Sequence, residues 1–77
     1  MKTWEIKHNE NTIKIESDLA GERLFVNGAL QDKQCGFAYR SRLWGRLPSG
    51  EEIKASLGGW FKINCYVFVD NVQVSAK

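Results

Sequence analysis

Seventy-seven residues, 43% of them hydrophobic and 26% charged, have the composition of one small globular domain spanning 1–77, and disorder is excluded. No apolar run approaches the length of a membrane-spanning helix, and two cysteines cannot build a disulfide scaffold. The formal net charge of +2 is too small to imply nucleic acid by itself.

The dominant hydrophobic period along the chain is two. Trp4, Ile6 and His8 alternate with Glu5 and Lys7, and Ile13 and Ile15 alternate with Lys14 and Glu16, the pattern of half-buried antiparallel strands. With Asn9-Glu10 as the turn, Ile6 faces Ile13, Trp4 faces Ile15 and Glu5 faces Lys14. A slip of two residues would set Glu5 against Glu16 and Lys7 against Lys14, so the first register is expected. No segment has a convincing helical period; the single candidate, Ser17-Asp18-Leu19-Ala20, is too short for more than one turn.

Phe25-Val26-Asn27-Gly28-Ala29-Leu30 is a strong hairpin signal, because Asn-Gly supplies the two positive-φ residues of a type I′ turn. Leu47-Pro48-Ser49-Gly50-Glu51 reads as a three-residue loop with Gly50 in the left-handed position. That loop sets Arg46 opposite Glu52, Trp44 opposite Lys54 and Leu43 opposite Ala55. Ile53, Ala55 and Leu57 continue the alternation, and Gly58-Gly59-Trp60 is an irregular place. Ile63 to Val69 is a near-continuous run of β-formers that fits a central strand. Asp70-Asn71 is a weaker I′ turn into a short last strand, Val72-Gln73-Val74-Ser75.

A repeat is visible. Trp4 precedes Ile13-Lys14 by nine residues and Trp44 precedes Ile53-Lys54 by nine, while Phe25-Val26-Asn27-Gly28 echoes Phe68-Val69-Asp70-Asn71. The offsets are 40 and then 43. Each half then contributes two hairpins, and the expected fold is all-β, a small antiparallel sandwich or partly closed roll or barrel. At Arg23-Leu24-Phe25-Val26-Asn27-Gly28 and Val67-Phe68-Val69-Asp70-Asn71 the chain resembles the β-domains of the Fas apoptotic inhibitory molecule family. It is also similar in general character to small bacterial all-β proteins. The resemblance implies a compact antiparallel β-domain and assigns no functional residue.

Catalysis is not expected. His8 is the single histidine and reads as a solvated side chain beside a turn. Glu51 and Glu52 are adjacent on a strand and point to opposite faces, so they cannot share acid and base roles. No third group orients His8 with Cys35 or Cys65 for nucleophilic work, and no glycine-rich phosphate loop precedes a helix. Two distant cysteines and one histidine lack metal-site spacing, so neither metal nor cofactor is expected. Cys65 reads as a small core residue. Met1-Lys2-Thr3-Trp4-Glu5 has no apolar h-region, and the expectation is a cytoplasmic chain with reduced thiols.

Charge is uneven along the chain. Residues 1–32 carry net −2 and residues 33–69 carry net +4, with no acid between Asp32 and Glu51. One reading is two complementary halves packed together; the other is an anionic partner. Alternation gives the second reading a surface. Leu43 and Leu47 fall on one face, and Arg40, Arg42, Trp44 and Arg46 share the other, with Lys54 beside Trp44. Guanidiniums around an indole pair with carboxylate or phosphate and stack rings. The plainer alternative is a solvated face in which Lys54 or Arg46 covers Trp44 and Arg46 pairs with Glu52. The expected activity is therefore non-catalytic binding of an acidic protein partner. Weak single-stranded nucleic-acid binding through the same face is the alternative. A structural, self-associating domain is the third reading. Trp60 and Phe61 would anchor a copy or a partner, with core packing as the other role. Val72 and Val74 lie on an edge without protective charge, which would pair with a second copy or with the first strand, closing a barrel.

Overall fold

The computed structural model of the chain describes residues 2–18, 20–35, 40–58 and 63–76. Eight strands follow in order: β1 (Lys2–His8), β2 (Asn11–Asp18), β3 (Gly21–Val26), β4 (Ala29–Cys35), β5 (Arg40–Arg46), β6 (Glu52–Gly58), β7 (Asn64–Val69) and β8 (Val72–Ala76). They form two four-stranded antiparallel meanders, β1-β2-β3-β4 and β5-β6-β7-β8. The expected all-β fold is the one found.

Period-two alternation builds the core directly. Ile13, Ile15, Leu24 and Val26 point inward from the first sheet, and Leu43, Ile53, Ala55, Leu57, Cys65, Val67 and Val69 from the second. Fully burying each Ile or Leu contributes roughly 1.5–3 kcal/mol. Trp4, Ile6 and Val74 pack against the margin of this cluster. The shortest dimension, 16 Å, matches two sheets stacked face to face.

The turns adopt the geometry their residues allow. Asn9 and Glu10 have φ of 47° and 66°, Asn27 and Gly28 50° and 84°, and Asp70 and Asn71 48° and 66°. All three pairs carry the positive φ of I′ turns. Gly50 takes φ 97°, and its N–H donates to the Leu47 carbonyl at 2.9 Å. Both expected registers are present: Glu5 faces Lys14 in β1–β2, and Trp44 faces Lys54 in β5–β6.

The repeat is a structural duplication. Ile13 faces Val26 as Ile53 faces Val69, and Lys14 faces Phe25 as Lys54 faces Phe68. The pairing register shifts between Leu24 and Phe25 in one half and between Val67 and Phe68 in the other. Even the turn contacts recur. The Thr12 N–H donates to Asn27 Oδ1 and the Glu52 N–H to Asp70 Oδ1, both at 2.9 Å. Trp4 and Trp44, however, are not equivalent. Trp4 faces Ile15 and packs on the core margin, whereas Trp44 faces Lys54 and points outward. The loop at Pro48-Ser49-Gly50 is one residue longer than the turn at Asn9-Glu10, which moves Trp44 onto the place of Glu5.

The halves join between β4 and β5. The Trp44 N–H donates to Asp32 Oδ2 at 2.9 Å and the Arg46 N–H to Gln31 Oε1 at 3.4 Å. Side chains of β4 thus cap the open edge of β5. The other two edges, β1 and β8, are not hydrogen-bonded to each other. Closure of a barrel by the first strand does not occur, so β8 is an edge with Val72 exposed and Val74 half-buried.

In keeping with the lack of a helical period, Ser17 and Asp18 end β2, facing Glu22 and Gly21 across a hairpin, while Leu19 lies outside the described residues. The Ser17 side chain is needed inside, where it donates to Glu22 Oε2 at 3.2 Å. Contrary to one reading of the charge distribution, the described residues of the two halves do not neutralise each other charge by charge. In the first sheet Arg23 pairs with Glu16 at 3.2 Å and Asp18 at 2.8 Å, and Lys14 with Glu16 at 3.4 Å. The bond from Arg23 holds the Asp18 carboxyl below its ordinary value. Among the described residues, only His8 and Glu51, 3.8 Å apart, bring opposite ionisable groups from the two halves together. His8 is accordingly half-buried rather than freely solvated.

Candidate functional site

The outer face of the second sheet is built from rows that cross the strands. One row reads Trp44, Lys54, Phe68 and Gln73, and the next Arg42, Ser56, Tyr66 and Ala76. On β5, β6 and β7 these residues are outward because alternate positions along the strand are inward: Leu43 is fully buried between Arg42 and Trp44, and Val67 between Tyr66 and Phe68. Between the rows lies an open groove of about 280 Å³ lined by Arg42, Trp44, Lys54, Ala55, Ser56 and Phe68. Trp44 is 52% exposed and Tyr66 43%.

The outward apolar residues explain why 63–69 reads as continuous. β7 is central in its sheet, but Cys65, Val67 and Val69 face the core while Tyr66 and Phe68 face the groove. Sequence reasoning missed Phe68 and Tyr66 as site residues. Phe68 meets Lys54 through the β6–β7 pairing, which the Asp70-Asn71 turn between β7 and β8 does not set.

The cations are committed to different degrees. The Lys54 ammonium donates to Asn71 Oδ1 at 3.2 Å and lies 3.5 Å from Glu52 Oε1. The Arg46 guanidinium donates to the Gly50 carbonyl at 2.9 Å. The expected Arg46–Glu52 pair is therefore replaced by Lys54–Glu52, although Arg46 and Glu52 do face each other. Neither Lys54 nor Arg46 covers Trp44: the cation–π contacts of the described residues are Lys2 over Trp4 and Lys14 over Phe25. Arg42 has no carboxylate within ion-pairing distance among the described residues. Arg40 opens β5 opposite Gly58; its side chain lies outside the described residues.

No protein-family model, curated protein or solved structure matches the chain. The two halves of the chain differ in the row that crosses each sheet. In the first sheet the row is Glu5, Lys14, Phe25 and Leu30, and the Lys14 ammonium sits 5.1 Å from the Phe25 ring centre. In the second sheet Trp44 replaces Glu5, and Lys54 is drawn toward the turn instead of over Phe68. The same row thus carries a cation beside the ring in the first sheet and a groove beside it in the second.

The remaining candidates are placed as follows. Trp60 and Phe61 lie outside the described residues. Cys35 is exposed and Cys65 buried, both as free thiols, and burial pushes the Cys65 thiol up to about 11. Among the described residues no three His, Cys, Asp or Glu side chains group to hold a metal, and no helix is long and apolar enough to cross a membrane.

Proposed function

We propose that this protein is a non-catalytic binding module whose groove on the second sheet takes an acidic protein partner. The observation that supports the reading is Arg42. It is an exposed guanidinium without a carboxylate partner among the described residues, set beside the exposed ring of Trp44 and the ring of Phe68. Arg and Trp are the residue types that dominate binding energy at protein interfaces. Arg42 can take a carboxylate bidentately at little desolvation cost to an existing pair.

Single-stranded nucleic acid is the second reading, favoured by two aromatic rings in one row, since any base can stack on them. It is the weaker one. Glu52 and Asp70 lie on the same side of the hairpin ends, and Glu52 already shares Lys54, so the positive potential over the groove is modest. The variant carrying both Arg42→Glu and Arg46→Glu should lose the partner while its melting stays within about 0.5 kcal/mol of wild type. Capture from the native host, wild type against variant, checks this. Partner lists that do not change would reject the groove. Nuclease treatment and a salt titration separate the two readings, because phosphate contacts weaken steeply with salt.

Self-association is a distinct proposal for β8. Its edge, unpaired by any other described strand, with Val72 65% exposed and no charge from Val72 to Ala76, is a template for a second copy. Sedimentation at high protein concentration should give a dimer mass that Val74→Lys shifts to monomer. A monomer mass throughout would discard the pairing.

A further inference from the structure

We propose that the groove is a receptor for an aromatic side chain accompanied by a carboxylate, and that Asn71 holds it open. This rests on the binding reading above and names what is bound. The internal duplication supplies the comparison. Lys14 and Lys54 occupy equivalent positions, as do Phe25 and Phe68, and as do Gly28 and Asn71 in the turns beyond them.

Gly28 has no side chain to offer Lys14, whose ammonium pairs with Glu16 Oε2 at 3.4 Å and lies 5.1 Å from the Phe25 ring centre. That is the position favoured by the negative face of the ring. In the second half Ser56 stands where Glu16 stands and Asn71 where Gly28 stands, and the Lys54 ammonium donates to Asn71 Oδ1 at 3.2 Å and lies 3.5 Å from Glu52 Oε1. The lysine is drawn toward the hairpin end, and Phe68 lines the groove instead of lying beneath a cation.

What fits there follows from the walls. A ligand cation meets Arg42 and Lys54 and is repelled. A planar ring can lie against Trp44 and Phe68, and an anion beside it meets Arg42, with the Ser56 hydroxyl as a further donor. An open groove of about 280 Å³ has room for one such ring and its charge.

The test needs no knowledge of the natural partner. Asn71→Gly gives the turn Asp-Gly, a preferred I′ pair, so the hairpin is retained. In wild-type protein the Lys14 side-chain Hε resonances should be shifted upfield by the Phe25 ring and those of Lys54 should not. In Asn71→Gly the Lys54 resonances should move upfield, while Asn71→Asp, which keeps the acceptor, should leave them unmoved. The probe 3-(4-hydroxyphenyl)propionate, a ring with a carboxylate, should produce saturable amide shifts at Trp44, Ser56 and Phe68. Its affinity should fall about three- to tenfold in Asn71→Gly, the loss of one aromatic stacking contact. It should be retained in Asn71→Asp. Unmoved Lys54 resonances in Asn71→Gly, or no saturable shifts in wild type, would overturn the assignment. If the probe fails while the Arg42/Arg46 variant still loses its partner, the groove binds something other than a ring with a carboxylate.

Discussion

Replacing Gly21 with alanine should destabilise the fold by about 3 kcal/mol or more. Gly21 begins β3 with φ +139°, a conformation that L side chains rarely adopt. A Cβ there would stand 2.1 Å from the Gln34 carbonyl oxygen and 3.0 Å from the Cys35 Cα. Both neighbours are backbone of the paired strand β4, so no side chain can swing aside. Relief requires parting β3 from β4, and β4 also caps β5 through Asp32 and Gln31. A domain this small has a total stability of roughly 4–12 kcal/mol, so this loss is a large fraction of it. Thermal unfolding should begin about 12 °C lower or more. An unchanged melting temperature would mean that Gly21 does not sit against β4 as described.

The second large effect is expected at Glu22. Its side chain is buried between the sheets, 7% exposed, with no cation within ion-pairing distance among the described residues. Instead two buried hydroxyls donate to it: Ser17 of β2 at 3.2 Å, and Ser41 of β5 to the other oxygen. One carboxylate therefore ties the first sheet to the second. Glu22→Ala removes the acceptor and leaves two hydroxyls buried without it, each costing about 1–3 kcal/mol. The combined loss should be about 2–4 kcal/mol, because small rearrangements or entering water recover part of it. Glu22→Gln retains one acceptor oxygen and two donors that the serine oxygens can accept, so it should cost clearly less. Denaturant unfolding of the three proteins compares these values. If Glu22→Ala is as stable as wild type, the carboxylate is not a tie between the sheets.

Neither residue was singled out by patterning, and the reason is physical. Alternation describes which face a side chain takes, and it places Leu24 and Val26 inward correctly. The same rule places Glu22 inward too, but a charged residue at an inward position reads as a strand end until its partners are known. Ser17 is close in sequence; Ser41 is nineteen residues away and arrives only when the sheets stack. Gly21 is similar: its requirement comes from the Gln34 carbonyl, thirteen residues on.

The local chemistry of the chain was enough for the strands, the I′ turns, the three-residue loop and both registers. Those depend on period two, on residues that accept positive φ and on charge pairs directly opposite each other, all of which act over a few residues. It was also enough to put Arg42, Trp44, Arg46 and Lys54 on one outward face. What the tertiary structure decided was how these groups are spent. Phe68 joins them only through the β6–β7 pairing, and Lys54 turns to Asn71 across the sheet rather than onto a ring. Arg46 turns to its own loop, leaving Arg42 without an ion-pair partner among the described residues. The sheet seam at β4–β5 and the open edge at β8 likewise depend on which strands meet when two similar meanders pack. Such contacts join residues far apart in the chain, and their geometry is set by packing rather than by the preferences of either residue alone.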